Sequence, residues 1–275
     1  MKKVVTMQDI SCVGKCSITA AFPVISAMGI ETALIPTAVL STHTMFQGFT
    51  FHDLTSEIAP IMNHWEKEGF QFEGIYTGYL GSFEQIALAE DLFRRFGSHA
   101  FTLVDPAMAD NGKLYVGFDD AFVKRMAQLC GKADYICPNM TEAAFMLGKE
   151  YPADGYDEAY VRQTLKELTA LGVKTAILTG ISPEPGKTGA CAYDSVHDTW
   201  HSFYTEEQPE HFHGTGDLWA GTLCGGLALG KSLDEAIRIA CLFTAESIRL
   251  TIAEENHNTY GVNFEQAIPY LISLL

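Results

Sequence analysis

The segment His211–Gly221, HFHGTGDLWAG, sets a lone carboxylate, Asp217, behind a glycine-rich turn and ahead of an apolar stretch. A helix start exposes unpaired backbone N–H groups and a partial positive charge, which suits an anion, yet Asp is equally at home there as a cap or first-turn residue. Taken alone, the two readings are evenly balanced. If an anion binds, the N–H groups of Gly214, Thr215 and Gly216 could hold the charge that develops on a transferring phosphoryl group. Glycine lets the backbone come close. Asp217 would then stand beside the attacking hydroxyl as its base. A carboxylate at its ordinary pKa is ionised at neutral pH, and such a transfer needs positioning more than strong basicity.

Five apolar runs elsewhere end in polar side chains or a turn: Asp9 and Ser11, Thr77 and Tyr79, Asp105, Asn139, and Thr179 with Gly180. Each alone is more often a turn former or a cap. Open parallel sheets bind ligands beyond the carboxyl ends of their strands, so five such ends point to one crevice. Two other phosphate motifs fail on inspection. GKCS (14–17) has Asp9 where a phosphate-binding loop needs its first glycine and Cys16 where the motif continues after lysine. GTGDLW (214–219) has Trp219 in place of the third glycine of a dinucleotide fingerprint and lies late in the chain. His211 and His213 read as loop residues.

The elements that must carry these residues alternate between short apolar runs and longer amphipathic ones, the βα pattern of a mostly parallel sheet. Strands are predicted at 4–10, 33–40, 74–80, 100–107, 135–139 and 175–181, with a hairpin of 189–193 and 199–207. Helices are predicted near 17–28, 54–68, 83–96, 119–131, 141–147, 157–171, 217–229, 233–251 and 264–274. Ser232 with Glu235 three residues later reads as a capping box.

At 275 residues the expectation is one domain over 1–275. A net charge of −16 opposes nucleic acid and anionic membranes as partners and leaves an anionic nucleotide to bind through local donors and a cation. The opening MKKVVTMQDIS is interrupted by Gln8 and Asp9 too early for a secretory signal, and no apolar run approaches a membrane span. The seven cysteines show no CxxC pair and lie mostly within apolar runs, as buried free thiols do. These features predict a cytoplasmic protein.

FHGTGDLWAG resembles the G-T-G-D signature of the ribokinase-like family, VDPAMADNGKLY (104–115) its D-P-x-x-G-D-x-G-x-L-Y, and PNMTEAAFMLG (138–148) its P-N-x-x-E-x-x-x-L-x-G. ILTG (177–180) is similar to the strand end that meets the ATP phosphates. Residues 10–50 are similar to the opening of the pyridoxal kinases within that family, with a serine after strand one, then F-P, then S-x-H-T.

The resemblance implies an α/β three-layer sandwich, a central mostly parallel sheet flanked by helices. It makes Asp217 the base and Gly214, Thr215 and Gly216 the anion hole. It assigns Asp105, Asn139, Glu142, Thr179 and Gly180 to ATP, and Asp110 and Glu142 to Mg²⁺, directly or through water. Ser11, Thr44 and Tyr79, with Asp217, would hold the vitamin B6 ring. The implied reaction is ATP-dependent phosphorylation of the 5′-hydroxymethyl group of pyridoxal, pyridoxine or pyridoxamine. A monovalent cation stays open, and family members imply a homodimer. The alternatives are a hydroxymethylpyrimidine kinase and a non-catalytic B6-binding or regulatory homologue. Two departures stand out: Ala109 replaces a glycine of the D-P-x-x-G-D pattern, and the stretch from Ser11 to Phe22 is shorter than the family's glycine-rich one.

Overall fold

Apolar runs alternating with amphipathic segments bury best as a sheet covered on both faces, and the chain folds that way. In the computed structural model, which describes residues 1–153 and 155–275, the elements run β1 (Lys3–Ser11), α1 (Ile18–Ala27), β2 (Glu31–Leu40), β3 (Phe51–Asp53), α2 (Thr55–Glu68), β4 (Gly74–Thr77) and α3 (Phe83–Phe96). There follow β5 (Phe101–Val104), β6 (Ala109–Asp110), β7 (Lys113–Leu114), α4 (Asp120–Cys130), β8 (Tyr135–Ile136), α5 (Met140–Met146) and α6 (Glu158–Thr169). The chain closes with β9 (Thr175–Ile181), β10 (Lys187–Asp194), β11 (Thr199–Glu206), α7 (Thr215–Leu229), α8 (Leu233–Ile252) and α9 (Phe264–Leu274).

Nine strands form one sheet in the order β11-β10-β9-β8-β5-β4-β1-β2-β3. The central strands β2, β1, β4, β5, β8 and β9 are parallel, and β3, β10 and β11 join antiparallel at the two edges. Side chains alternate between two apolar layers with the period of two that a strand imposes. Val5, Met7, Ile75, Val104 and Leu178 meet α2–α6 on one face. Val4, Tyr76, Leu103, Ile177 and Ala190 meet α1, α7, α8 and α9 on the other. The expected three-layer α/β sandwich is therefore what forms.

The differences in detail are local. The strands predicted over 100–107 and 135–139 end at Val104 and Ile136, because the residues beyond them leave the ladder to build loops. β3 was not expected. Nor was the small β6–β7 hairpin, though its Asn111–Gly112 turn, with φ of 50° and 73°, is the pairing that a two-residue hairpin favours. Ser232 caps α8 through Glu235 N–H at 3.3 Å, but the Glu235 carboxylate pairs with Lys231 at 2.9 Å instead of completing the predicted box. A complete capping box forms at α5, between Asn139 and Glu142.

Candidate active site

The parallel strands end on one side of the sheet, and a cleft of about 560 Å³ opens there. Asp105, Asp110, Asn139, Glu142, Thr179, Gly180 and the run Gly214–Asp217 all line it. Ser11, Thr44 and Tyr79 are outside its lining. Asn139 and Thr179 bridge two neighbouring strand ends, and the Thr179 N–H donates to the Pro138 carbonyl at 3.0 Å.

α7 begins at Thr215, two residues earlier than predicted, so its N-cap is Gly214 and not Asp217. Gly214 has a φ of 77°, and a Cβ there would collide with the Lys15 carbonyl oxygen, so only glycine fits. No side chain caps the helix. Its first intrahelical bond, Leu218 N–H to the Gly214 carbonyl at 3.0 Å, leaves the N–H groups of Thr215, Gly216 and Asp217 ahead of the ladder. Nothing lies within 4 Å of where a Gly216 Cβ would stand, so the backbone is open to the cleft. The apolar body of the helix packs on α1 and α8, holding this open end still.

Asp217 faces the backbone N–H of Ser17, the residue before α1. Ser17 is held at φ 48° and ψ −133°, a conformation that L side chains rarely adopt. Burial, then the Asp105 carboxylate, push Asp217 up to about 8, with Asp9 adding to the rise and the Ser17 N–H opposing it. This corrects the sequence expectation of an ordinary carboxylate, because sequence spacing carries no information about desolvation or about acids arriving from other strands.

The loop after β5 is braced by Glu142. Its carboxylate accepts the N–H groups of Met108 at 2.9 Å, Ala109 at 3.4 Å and Asn139 at 2.9 Å. The Asn139 amide returns a bond to the Ala109 carbonyl at 2.8 Å. Ala109 is buried in a strand, and the left-handed residues are Ala107, Asn111 and Gly112, so the missing glycine costs this loop nothing at 109. Asp105 is fixed by its N–H on the Thr77 carbonyl at 2.8 Å. Burial and the approach of Glu142 raise Asp105, and burial raises Glu142 despite its three N–H donors. Asp110 stays exposed at the hairpin.

On the other side of Asp217, Ser11 is buried and donates to Asp9 at 3.3 Å. Tyr79 is half-buried, its ring centroid 5.7 Å from that of Phe118, which stacks on Phe122 at 3.9 Å. Thr44 lies exposed in the loop before β3. Its neighbour His43 sets its ring 4.7 Å from that of His213, the residue directly before Gly214. Sequence reasoning missed Tyr115, and it missed Thr244, Ala245 and Ile248 of α8, which line the far wall of the cleft. The helical spacing of the α8 trio reads as ordinary core, so only the fold exposes their role.

The phosphomethylpyrimidine kinase family model matches residues 12–263. The crystal structure of a candidate phosphomethylpyrimidine kinase from Bacteroides thetaiotaomicron, in a form with pyridoxal, is 37% identical, with a TM-score of 0.92 over 98% of this chain and 95% of that one. Pyridoxal kinase from Lactobacillus plantarum is 28% identical, with a TM-score of 0.90 over 100% of this chain and 98% of that one. The hydroxymethylpyrimidine/phosphomethylpyrimidine kinase of Rhizobium meliloti is 27% identical over 82% of this chain and 83% of its own length.

Proposed function

The chain belongs to the phosphomethylpyrimidine kinase family, and from that premise we propose that it transfers the γ-phosphoryl group of ATP to the 5′-hydroxymethyl group of pyridoxal or its pyridoxine and pyridoxamine relatives. One observation carries the chemistry: Asp217 sits in the first turn of a helix whose uncapped N-terminus opens onto the cleft. Asp217 takes the proton from the acceptor hydroxyl as the oxygen attacks phosphorus. The N–H groups at Gly214–Gly216 hold the charge on the transferring group, and they are in place before it develops. Asn139, Thr179 and Gly180 border the phosphates, with Asp105 and Glu142 arranging the loop beside them. Ser11, Tyr79 and Thr44 hold the vitamin ring from the β1 side.

The donor set fits Mg²⁺, a hard cation that keeps waters and takes one or two carboxylates together with substrate phosphates. When bound it neutralises phosphate charge. Asp110 is exposed at the hairpin and accepts only from its neighbour Asn111, so it is the carboxylate that could reach the metal, whereas buried Glu142 is held by N–H groups of the loop it braces and acts on the metal through water or through that loop.

The acceptor is supported by the pyridoxal held in the 37% identical structure. A hydroxymethylpyrimidine acceptor is the second reading, favoured by the family's description and by the Rhizobium relative. Intact Asp217 argues against a homologue that binds without turnover. We read the protein as a cytoplasmic homodimer. Its unpaired cysteines fit a reducing compartment, and none of its described helices is long and apolar enough to cross a membrane. A coupled ADP-release assay across the three vitamers and hydroxymethylpyrimidine tests the assignment. Turnover fastest on a vitamer is expected, and a preference for the pyrimidine transfers the chain to the second reading.

A further inference from the structure

Gln85, on α3, is 1% exposed, and its amide is bonded at both ends. Its Oε1 accepts the Gly81 N–H at 2.7 Å, and its Nε2 donates to the Thr37 carbonyl at 3.2 Å and to the Thr55 hydroxyl at 2.9 Å. A backbone N–H only donates and a carbonyl only accepts, so the group that joins Gly81 to Thr37 must do both, as a primary amide does and an ionised carboxylate does not. For filling space alone, leucine or methionine would serve without a polar group to satisfy.

The three partners belong to three different segments. Gly81 lies in the turn after β4 that carries Tyr79. A Cβ at Gly81 would stand 3.6 Å from the Tyr79 ring and 3.7 Å from Oε1 of Gln85, so the turn, the ring and the amide are neighbours. Thr37 lies on β2 and Thr55 opens α2. Between them run the end of β2, the loop with Thr44, and β3, which pairs back antiparallel on β2 from Leu40 with Phe51 to Ala38 with Asp53. The Thr37 carbonyl also takes the Leu54 N–H at 3.0 Å. The amide therefore closes the base of the hairpin whose loop carries Thr44, and holds that base to the turn that carries Tyr79.

We propose that Gln85 is the positioning residue of the acceptor side: its buried amide fixes the Tyr79 turn against the base of the β2–β3 hairpin, so that Tyr79 and Thr44 keep one spacing around the vitamin ring. This rests on the reading of those two residues as the ring's partners. Gln85 lies outside the nucleotide cleft, and none of its three bonds goes to a residue that lines it. Losing the amide then weakens the acceptor and leaves ATP as before.

The test is Gln85→Met, which keeps the length of the side chain and loses all three bonds, measured beside Tyr79→Ala. Gln85→Met should raise the vitamer KM about five- to tenfold, with kcat lowered by less than about threefold and ATP binding by calorimetry within about twofold of wild type. A general loss of structure would not spare ATP binding. Thr55→Val is close to isosteric and breaks only the α2 bond at a half-buried position, so it should raise the vitamer KM by about two- to threefold and decides the matter alone if Gln85→Met does not fold. An unchanged vitamer KM in the folded variants overturns the inference. So does a raised vitamer KM matched by an equal loss of ATP binding, which marks a packing role. If Tyr79→Ala leaves the vitamer KM unchanged, the reading of Tyr79 as a ring partner falls and the inference with it, whereas a raised KM in Tyr79→Ala beside an unchanged one in Gln85→Met removes only the role of Gln85.

Discussion

The backbone N–H of Ser17 faces the carboxylate of Asp217 and opposes the rise of its pKa, so the loop between β1 and α1 acts on the group that α7 presents to the cleft. The two residues are 200 positions apart in the chain, and their approach brings a strained backbone at φ 48° to Asp217. The surroundings of Asp217 are therefore set by two elements, and its titration responds to changes in either.

Replacing Asp217 by Asn keeps the shape and removes the proton acceptor. kcat should fall by roughly 10²–10⁴ while ATP binding, measured by calorimetry, changes little. A variant with half the wild-type kcat would show that Asp217 is only a first-turn residue.

Asp217 must be ionised to accept a proton, and burial with Asp105 and Asp9 pushes it up to about 8. The kcat/KM for the acceptor, which reports the free enzyme, should rise with pH up to about 8 and level off above it. A flat profile from pH 6 to 9 would contradict the raised carboxyl.

The same shift carries a stability consequence of opposite sense. Between the unfolded carboxyl value of 3.8 and the folded value of about 8, the folded chain holds a proton that the unfolded chain has released. This contribution is fully present below the unfolded value and is lost as pH rises through the folded one. Asp217→Asn, uncharged throughout, should melt above wild type at pH 9, by a margin that shrinks towards pH 5. Parallel melting curves across that range check it, and equal Tm values at pH 9 would refute the buried charge.

Gly214 offers a separate check on the cradle. Alanine there meets the Lys15 carbonyl and must adopt a φ of 77°, which costs about 1–3 kcal/mol from the backbone alone. Gly214→Ala should lower Tm by several degrees and abolish most turnover, and a fully active, equally stable variant would mean that the cradle is not built as described.

Ser11→Ala removes one small hydroxyl on the acceptor side. A lost neutral hydrogen bond is worth about 0.5–1.5 kcal/mol, so the pyridoxal KM should rise several-fold with the ATP KM unchanged. Steady-state kinetics in both substrates decides it. An effect on ATP alone would move Ser11 out of the acceptor site.

What could be read from the chain before folding was whatever local pattern dictates. Asp105, Asn139 and Thr179 were legible because each ends an apolar run, and parallel strands bring their ends together whatever the loops do. Asp217 was legible as a residue but not as an acid. Its raised pKa comes first from burial, then from Asp105 and Asp9, which approach from the β5 and β1 strands. Glu142 looked like a cation ligand, and the three N–H groups on its carboxylate could be seen only once the loop after β5 had folded against α5.

The Lys15 ammonium donates to Asn263 at 2.9 Å and to Glu265 at 2.8 Å, pinning the loop that serves Asp217 to the start of α9. During translation these partners are separated by 248 residues. At about 5–20 residues per second, a ribosome needs roughly 12–50 s to supply the second half of that clasp. Until α9 has emerged, the loop before α1 lacks this clasp. Bracing of this loop therefore waits for α9 to dock, well after the strands of the sheet have been made.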